Sequence, residues 1–327
     1  MTHRVPGRVC LLGEHNDWAG GAAIVVPMDR AVAARAEPAD TLSATAVMEG
    51  RSFAWTDGED PGPLRFVPAV AAELAARFGV PATGRVHLDG DLPPGRGFSS
   101  SAATCVAVAR ALAGLHGLAL TRDDEVEVAY RAEHDRVGVA CGRLDPLACA
   151  HGVPLFLRFA GDDVRVEPVP ACLELAVGSF RAPRDTPGIL ATLGRHFRGE
   201  VPLRDFDAVR RVGAVRGAME GFCAQAIAGR SALVEGDLPA LGACMDACEE
   251  IYEEELMAAI PALEAPGLVR AVRALRAAGA LGAKFSGAGG DGSVVGLYPP
   301  RGDVAAGVAA LDRLGLDAFA MEVWCPT

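Results

Sequence analysis

The segment Asp-Leu-Pro-Pro-Gly-Arg-Gly-Phe-Ser-Ser-Ser-Ala-Ala, residues 91–103, is the most informative stretch of the chain. A strand predicted at residues 84–88 leads into its Pro/Gly turn, and an apolar helix begins at its serines. Glycines let a backbone approach a ligand closely, and the first N–H groups of a helix lack intrahelical partners, so a phosphate can accept hydrogen bonds from them. The segment is not a Walker loop, because no Gly-Lys-Ser/Thr follows, and a tight turn with a serine N-cap is the alternative.

Composition indicates a globular protein with more than one core. The chain has 327 residues, of which 50% are hydrophobic and 22% are charged. Two domains are therefore predicted, at residues 1–165 and 166–327. The net charge of −11 would repel a polyphosphate backbone, so we expect no nucleic-acid partner.

Neither the cysteines nor the apolar segments indicate secretion or a membrane. Nine cysteines are scattered without C-x-x-C pairs, which predicts free thiols and a reducing, cytoplasmic location. The most apolar stretch, residues 102–120, is interrupted by Arg110 and His116 and is predicted to be a core helix. Arg4, Pro6 and Arg8 break the apolar run that a signal peptide would need.

Hydrophobic periodicity predicts a mixture of strands and helices. Strands are predicted at residues 9–12, 22–26, 30–36, 44–48, 52–55, 84–88, 153–159, 173–177, 283–285, 294–297 and 319–323. Helices are predicted at residues 66–78, 206–228, 231–257, 267–278 and 304–314, with a Thr121/Asp124 cap before a further helix.

Two further segments have residue types suited to binding. Lys-Phe-Ser-Gly-Ala-Gly-Gly-Asp-Gly-Ser, residues 284–293, lies between two predicted strands, and a simple hairpin with positive φ angles would explain it. Residues 7–21, Gly-Arg-Val-Cys-Leu-Leu-Gly-Glu-His-Asn-Asp-Trp-Ala-Gly-Gly, place Glu14, His15 and Asp17 directly after a buried strand. These side chains suit vicinal hydroxyl groups, and a metal site or a solvated turn are the alternatives.

The three segments, in this order and at these separations, resemble the signature motifs of the GHMP kinase superfamily, which includes galactokinase, homoserine kinase, mevalonate kinase and phosphomevalonate kinase. The resemblance spans nearly the whole chain. The first motif is closest to the galactokinase pattern G-R-x-N-L-I-G-E-H-T-D-Y-N-G-G, and the three consecutive serines also resemble galactokinases. The departures from that first pattern are Cys10, Asn16, Trp18 and Ala19.

The third motif is nearer to the mevalonate-kinase style, with Asp291 and Ser293 in place of Gly and Cys. A fourth stretch, residues 133–145, resembles the galactokinase segment that contains a magnesium-binding glutamate and the catalytic aspartate of G-x-x-D, here Glu133 and Asp145. Glu133 falls on the apolar stripe of its helix, so it needs a partner, and a salt bridge to a buried arginine is the alternative to a metal. Asp145 precedes Pro146, which is the pattern of an N-cap.

The resemblance implies an α+β protein with the two-domain GHMP kinase fold, an S5-like N-terminal domain and a ferredoxin-like C-terminal domain. It implies ATP and Mg²⁺ as cofactors and a small, sugar-like acceptor, with the chain acting as a monomer or homodimer. Asp145 and Arg8 would be catalytic, Glu14, His15 and Asp17 would bind the acceptor, and Ser100, Ser101 and Glu133 would hold the metal. The residues implied in ATP binding are Pro94, Gly95, Gly97, Ser99, Ser100, Ser101, Ala102, Gly287 and Gly289.

The predicted reaction is phosphorylation of a monosaccharide hydroxyl, anomeric by preference, on galactose, a related hexose or pentose, or a hexuronic acid. A mevalonate-type kinase and a non-catalytic sugar- and ATP-binding sensor of the same fold are the alternatives. The presence of both Arg8 and Asp145 favours an enzyme over a sensor.

Other polar residues are weaker candidates. Arg181 and Arg184 follow a strand and could face an acidic group of the acceptor or the solvent. Three lone histidines, His87, His116 and His151, are predicted to be structural. A solvated helix face is predicted for Glu249, Glu250, Glu253, Glu254 and Glu255.

Overall fold

The computed structural model describes residues 1–181, 186–201 and 206–323. Its strands are β1 His3–Leu12, β2 Gly21–Glu37, β3 Leu42–Met48, β4 Arg51–Thr56, β5 Gly84–Gly90, β6 Leu155–Ala160, β7 Asp163–Pro168, β8 Leu173–Ser179, β9 Gly282–Ser286, β10 Ser293–Tyr298 and β11 Asp317–Val323. Its α-helices are α1 Asn16–Ala19, α2 Phe66–Phe78, α3 Ser100–Leu115, α4 Arg122–Arg131, α5 Leu144–His151, α6 Thr186–Arg198, α7 Phe206–Glu235, α8 Leu238–Ile251, α9 Pro266–Ala277 and α10 Val304–Arg313. Two π-helical turns, Ala132–Arg136 and Tyr252–Met257, follow α4 and α8.

The chain divides into two compact units. The first contains Met1–Arg8 and Pro27–Gly152, and the second contains Val9–Val26 and Val153–Thr327. The strands β1 and β2 contribute residues to both units. The predicted boundary at residue 165 stays a prediction. The two units are not continuous in sequence, because residues 1–8 belong to the first and residues 9–26 to the second.

The first unit combines a mixed sheet with four helices. Its strand order is β4-β3-β5-β2, with β3 parallel to β5 and the other two pairs antiparallel. The helix α3 contacts β5 and the helices α2, α4 and α5. Alanine and valine fill the buried positions of α3, so its neighbours can approach closely. This packing fixes the position of α3, whose first turn directly follows the loop after β5.

The second unit contains a four-stranded antiparallel sheet of order β11-β8-β10-β9. Numbered in chain order, this is the 4-1-3-2 arrangement of a β-α-β-β-α-β unit, which confirms the predicted ferredoxin-like domain. The strand β6 pairs antiparallel with residues 21–25 of β2, and β7 pairs antiparallel with β6. Gly13 must be glycine, because a Cβ there would lie 2.1 Å from the Ala22 carbonyl oxygen and its φ is +85°.

Most predicted elements are confirmed, and the misses have local causes. The helix α2 has the predicted bounds, and Thr121 and Asp124 form the predicted capping box. The strand β2 continues through Pro27, so two predicted strands are one. The predicted helix at residues 231–257 is wrong, because Gly236 adopts φ +72° and Asp237 caps a new helix, α8. Among the strands and α-helices that the structure describes, α1, β7 and α6 were not predicted.

Candidate active site

Arg8 and Asp145 form the central ion pair of the first unit. The Nε of Arg8 donates to Oδ1 of Asp145 at 2.8 Å, and its Nη2 lies 2.7 Å from the same oxygen. The Arg8 side chain is only 7% exposed, whereas that of Asp145 is 30% exposed. Within the described part of the chain, Oδ2 of Asp145 makes no hydrogen bond. One carboxylate oxygen is therefore fixed by the arginine, and the other is available to a ligand.

Arg8 also fixes the loop after β5. Its Nη1 donates to the Gly97 carbonyl at 2.6 Å, and its backbone N–H donates to the Phe98 carbonyl at 3.2 Å. Gly7 allows this approach, because a Cβ there would lie 2.6 Å from the Phe98 carbonyl oxygen and 2.5 Å from Leu92. The strand β1 therefore holds Asp145 and the glycine-rich loop with a single residue, Arg8.

The loop ends in an unusual N-cap for α3. Ser99 adopts the left-handed conformation at φ 60°, and its buried hydroxyl has no hydrogen-bond partner within the described ranges. Gly95 and Gly97 have φ values of +70° and +84°, and the Gly95 N–H donates to the hydroxyl of Ser100 at 3.2 Å. The side-chain oxygen of Ser99 therefore does not cap the first helical N–H groups, so the predicted serine N-cap is wrong in its hydrogen bonding.

Glu133 lies in the π-helical turn Ala132–Arg136, where one extra residue per turn changes the direction of the side chains. Its Oε1 accepts from the Ser101 hydroxyl at 2.6 Å, and its Oε2 is buried without a partner among the residues described. Burial, and secondarily the Asp145 carboxylate, raises the pKa of Glu133 to about 7 despite the Ser101 hydrogen bond.

Two sequence-based interpretations of these residues are wrong. Glu133 has no ion pair among the described residues, so a salt bridge to a buried arginine does not explain its burial. Asp145 is not an N-cap, since α5 begins at Leu144 and the cap position belongs to Arg143. Asp145 lies in the first helical turn, where a carboxylate is stabilised by the helix dipole.

Glu14 belongs to the second unit and is buried, being 2% exposed. Its Oε1 accepts a hydrogen bond from the Nζ of Lys284, a fully buried residue of β9. Its Oε2 is buried and has no partner in the part of the chain that the structure describes. Although burial opposes the charge, the Glu14 carboxylate holds the pKa of Lys284 above its ordinary value. Lys284 was not predicted to contact Glu14, because the two residues lie 270 positions apart.

The residues that follow Glu14 form a short turn. His15 is buried at φ 69°, and its ring lies 5.5 Å from that of Trp18. Asn16 donates to the Ala22 carbonyl at 2.8 Å, and Asp17, which is half-buried, accepts from the Trp18 N–H at 3.1 Å. No group of three metal-ligating residues occurs in the ranges that the structure describes.

The third motif is a hairpin loop between β9 and β10, as its simplest interpretation predicted. Gly287, Gly289 and Gly290 have φ values of +86°, +81° and +66°. Tyr252 packs against the loop, and its hydroxyl accepts from the Gly290 N–H at 2.7 Å. A Cβ on Gly289 would lie 2.6 Å from that hydroxyl oxygen. Glycine is therefore required here by packing as well as by φ.

The departures from the family motifs have structural roles. Asp291 accepts from the Leu268 N–H at 2.9 Å, at the start of α9. Ser293 donates to the Ser286 carbonyl at 2.8 Å, and the Ser286 hydroxyl accepts from the Cys10 N–H at 3.1 Å.

Glu249 is a buried carboxylate that the sequence analysis missed. The prediction of a solvated face is wrong for it, because Glu249 is fully buried in α8. Its Oε2 accepts from the Phe285 N–H at 2.8 Å, and its Oε1 has no partner among the described residues. Burial raises its pKa to about 7, against that hydrogen bond and the charge of Lys284. The apolar spacing of Leu241, Met245, Cys248 and Tyr252 around it could have indicated burial.

Three minor predictions have mixed outcomes. Arg181 is exposed after β8, and Arg184 lies outside the described residues. Cys172 is disulfide-bonded, which corrects the expectation that every cysteine is a free thiol. His116 contacts the Thr83 carbonyl at 3.0 Å, and His87 contacts the Thr45 hydroxyl at 2.8 Å, as structural histidines do.

Two family models match this chain. Residues 65–153 match the GHMP kinases N-terminal domain, and residues 230–316 match the GHMP kinases C-terminal domain. The chain belongs to the GHMP kinase superfamily. The first match contains Gly95, Ser101, Glu133 and Asp145, and the second contains the third-motif loop.

Relatives of this GHMP kinase include galactokinases. The galactokinase of Mycobacterium bovis is 29% identical over 348 residues, which cover 91% of this chain and 89% of that protein. Lactococcus lactis galactokinase complexed with galactose has a TM-score of 0.81 at 18% identity, covering 99% of this chain and 93% of its own. L. major mevalonate kinase in complex with R-mevalonate has a TM-score of 0.76 at 21% identity, covering 100% and 97%.

These similarities confirm the predicted fold and enzyme class. This GHMP kinase is an ATP-dependent enzyme that phosphorylates a hydroxyl group, and it has the two-domain α+β fold. Among the helices that the structure describes, none combines the length and apolar character needed to cross a membrane.

Proposed function

We propose that this GHMP kinase transfers the γ-phosphoryl group of ATP to the anomeric hydroxyl of a monosaccharide, a neutral hexose or pentose or a hexuronic acid. The observation that carries the proposal is the asymmetric Asp145 carboxylate, with Oδ1 bound to Arg8 and Oδ2 without a hydrogen bond to any described residue. A non-catalytic sensor would not need a partly exposed carboxylate oxygen beside a buried guanidinium.

In the proposed reaction, Oδ2 of Asp145 takes the proton of the acceptor hydroxyl as its oxygen attacks the γ-phosphorus. A new O–P bond forms, the bond to the β-phosphate oxygen breaks, and ADP leaves. Arg8 holds Oδ1, so the Asp145 carboxylate has a fixed orientation. The positive charge of Arg8 also offsets negative charge that develops around the transferred phosphoryl group.

The phosphates would lie at the loop that ends in Ser99 and at the first N–H groups of α3, which the helix itself does not satisfy. Among the predicted ATP-binding residues, Gly95 supports this role. A Cβ at Gly95 would have no other atom within 4 Å, so the space beside this residue is open to a ligand. The roles of Pro94, Gly97, Ser100, Ala102, Gly287 and Gly289 in ATP binding remain part of the proposal.

The residues present also fit a magnesium ion. Glu133 has a buried carboxylate oxygen without a partner, and Ser101 supplies a hydroxyl beside it, with Ser100 as the neighbouring candidate. Mg²⁺ prefers carboxylate and hydroxyl oxygens and takes only a few from the protein. When bound with ATP, it would neutralise phosphate charge. Before binding, Glu133 would hold a proton at pH values below about 7.

The proposed acceptor is a sugar because the first motif supplies several hydrogen-bonding groups, namely Glu14, His15 and Asp17. The M. bovis relative is a galactokinase, and the L. lactis structure contains galactose. A mevalonate-type kinase is the second candidate, favoured by the L. major structure and by the third motif. The pairing of Glu14 with Lys284 leaves no cation for the carboxylate of mevalonate at that position, which supports the sugar.

The test is an ADP-release screen over hexoses, pentoses, hexuronic acids and mevalonate, each with ATP and Mg²⁺. We expect activity with a monosaccharide. The variant Asp17→Ala should lower kcat/KM for the best acceptor by about 10- to 100-fold, because one charge-assisted hydrogen bond is lost. Mevalonate as the best acceptor, or an Asp17→Ala enzyme with wild-type constants, would overturn the sugar assignment.

A further inference from the structure

The ammonium group of Lys284 is held by protein contacts. It donates to Oε1 of Glu14 and to the Phe285 carbonyl, and it lies 4.2 Å from the centre of the Phe285 ring. The side chain is fully buried, so it is closed to direct contact with a ligand from solvent. Lys284 would therefore act on a ligand only through a neighbouring residue.

The neighbour it acts on is Glu14, whose two oxygens differ. Oε1 is taken by the lysine, whereas Oε2 is buried with no partner among the described residues. A buried carboxylate oxygen is costly unless it accepts a hydrogen bond. Oε2 therefore requires an O–H or N–H donor that the described protein does not supply.

The charges around Lys284 come from several elements. Glu14 and Cys10 face it from the first motif, and Glu249 and Cys248 face it from α8. Because burial raises the pKa of Glu249 to about 7, Glu249 is largely protonated below neutral pH and Glu14 is then the main counter-charge of the lysine. Of the two carboxylates, only Glu14 bonds to the ammonium group.

We propose that Lys284 is a positioning residue for the acceptor, one that occupies Oε1 of Glu14 and leaves only Oε2 to accept a hydrogen bond from a substrate hydroxyl. This inference rests on the proposed function, because it assigns the acceptor to Glu14. It also narrows the substrate class. A neutral hydroxyl can donate to Oε2, whereas a carboxylate at that point of the substrate would meet a second negative charge.

Stability alone is a weaker explanation for the pair. Replacing a buried ion pair by apolar groups is often neutral or stabilising, so such pairs need another reason to persist. The free Oε2 of Glu14 is the feature that a purely structural role does not account for.

The experiment is a double-mutant cycle with Lys284→Met, Glu14→Gln and their combination, assayed for the KM of the best acceptor, the KM of ATP and kcat. Lys284→Met should raise the acceptor KM by about 10- to 100-fold, the value of one charge-assisted hydrogen bond, and leave the KM of ATP unchanged. The double variant should be no worse than Glu14→Gln alone, since the lysine acts through Glu14. Lys284→Arg should recover part of the loss.

The matched control is Arg230→Met, which breaks an ion pair with Glu167 in the same unit and far along the chain from the motifs. It should leave both KM values unchanged. Equal effects of Lys284→Met on both KM values, or additive effects in the double variant, would overturn the positioning role. If Lys284→Met fails to fold, the acceptor KM of Lys284→Arg is compared with that of the wild type, and the acceptor KM of the double variant with that of Glu14→Gln.

A second readout needs no activity. Lys284→Met leaves the Glu14 side chain buried without its cation, whereas the double variant removes both charges, so Lys284→Met should be the less stable of the two in urea unfolding. If the wild-type enzyme phosphorylates no sugar while this difference appears, the proposed function and the acceptor role fail together and the ion pair alone is upheld. If Lys284→Met is as stable as the wild type, Lys284 does not hold Glu14 in place.

Discussion

The variant Glu133→Gln tests the electrostatics of the first unit most sharply. Burial raises the pKa of Glu133 from 4.5 to about 7, which corresponds to about 3 kcal/mol of differential stability between the protonated and ionised forms. Because the folded-state pKa is raised, this stability is fully present below pH 4.5 and is lost as the pH rises to about 7. The wild-type free energy of unfolding should therefore fall by up to about 3 kcal/mol across this window through Glu133 alone.

Glutamine cannot ionise, so the variant should lack this part of the pH dependence. The assay is urea unfolding at pH 5 and pH 8 with a chelator present, and the readout is the change with pH, because the amide leaves its own polar nitrogen buried. Glu125→Gln is the matched control. Glu125 is bonded to Arg110 at 2.7 and 2.9 Å, so its removal should lower stability at both pH values.

Adding Mg²⁺ with ATP at pH 8 should raise the free energy of unfolding of the wild type more than that of Glu133→Gln, because the metal would bind the unpartnered Glu133 oxygen. Identical pH dependence in wild type and Glu133→Gln would refute the burial argument. Identical Mg²⁺ requirements for activity would remove Glu133 from the metal site.

Two further predictions concern the Arg8–Asp145 pair. Asp145→Asn should lower kcat by about 10²- to 10⁴-fold, because the base is lost while Arg8 can still bond to the amide oxygen. ATP binding measured by calorimetry should change little, and near wild-type turnover would exclude Asp145 as the base. Gly7→Ala should lower the free energy of unfolding by about 1–3 kcal/mol, because its Cβ would lie 2.6 Å from the Phe98 carbonyl oxygen. Gly213→Ala has open space in α7 and should stabilise by up to about 1 kcal/mol, so equal effects of the two would contradict the packing account.

The sequence predicted those features that depend on local order. The periodicity of residues 66–78 was sufficient for α2, and Thr121 with Asp124 was sufficient for a cap. The resemblance supplied the ferredoxin-like unit, the family and the pairing partners Arg8 and Asp145. These features could be predicted because each is encoded by neighbouring residues or by a motif with fixed spacing.

The features that were missed depend on tertiary contacts. Nothing in the local sequence indicates that Lys284 pairs with Glu14, or that Glu249 points inward while Glu250 is exposed. The π-helical turn that carries Glu133 is likewise absent from a plain 3.6-residue periodicity. Asp145 was mistaken for an N-cap because Asp-Pro is common there, whereas this helix starts one residue earlier.

The central claim is tested most directly by ³¹P NMR of the reaction mixture formed from ATP, Mg²⁺ and the best acceptor of the screen, with wild type and Asp145→Asn side by side. The account predicts ADP together with a phosphomonoester whose phosphorus couples to the anomeric proton of the sugar, formed by the wild type and nearly absent with the variant. Formation of ADP and inorganic phosphate alone, or a phosphomonoester that Asp145→Asn makes as fast as the wild type, would contradict it.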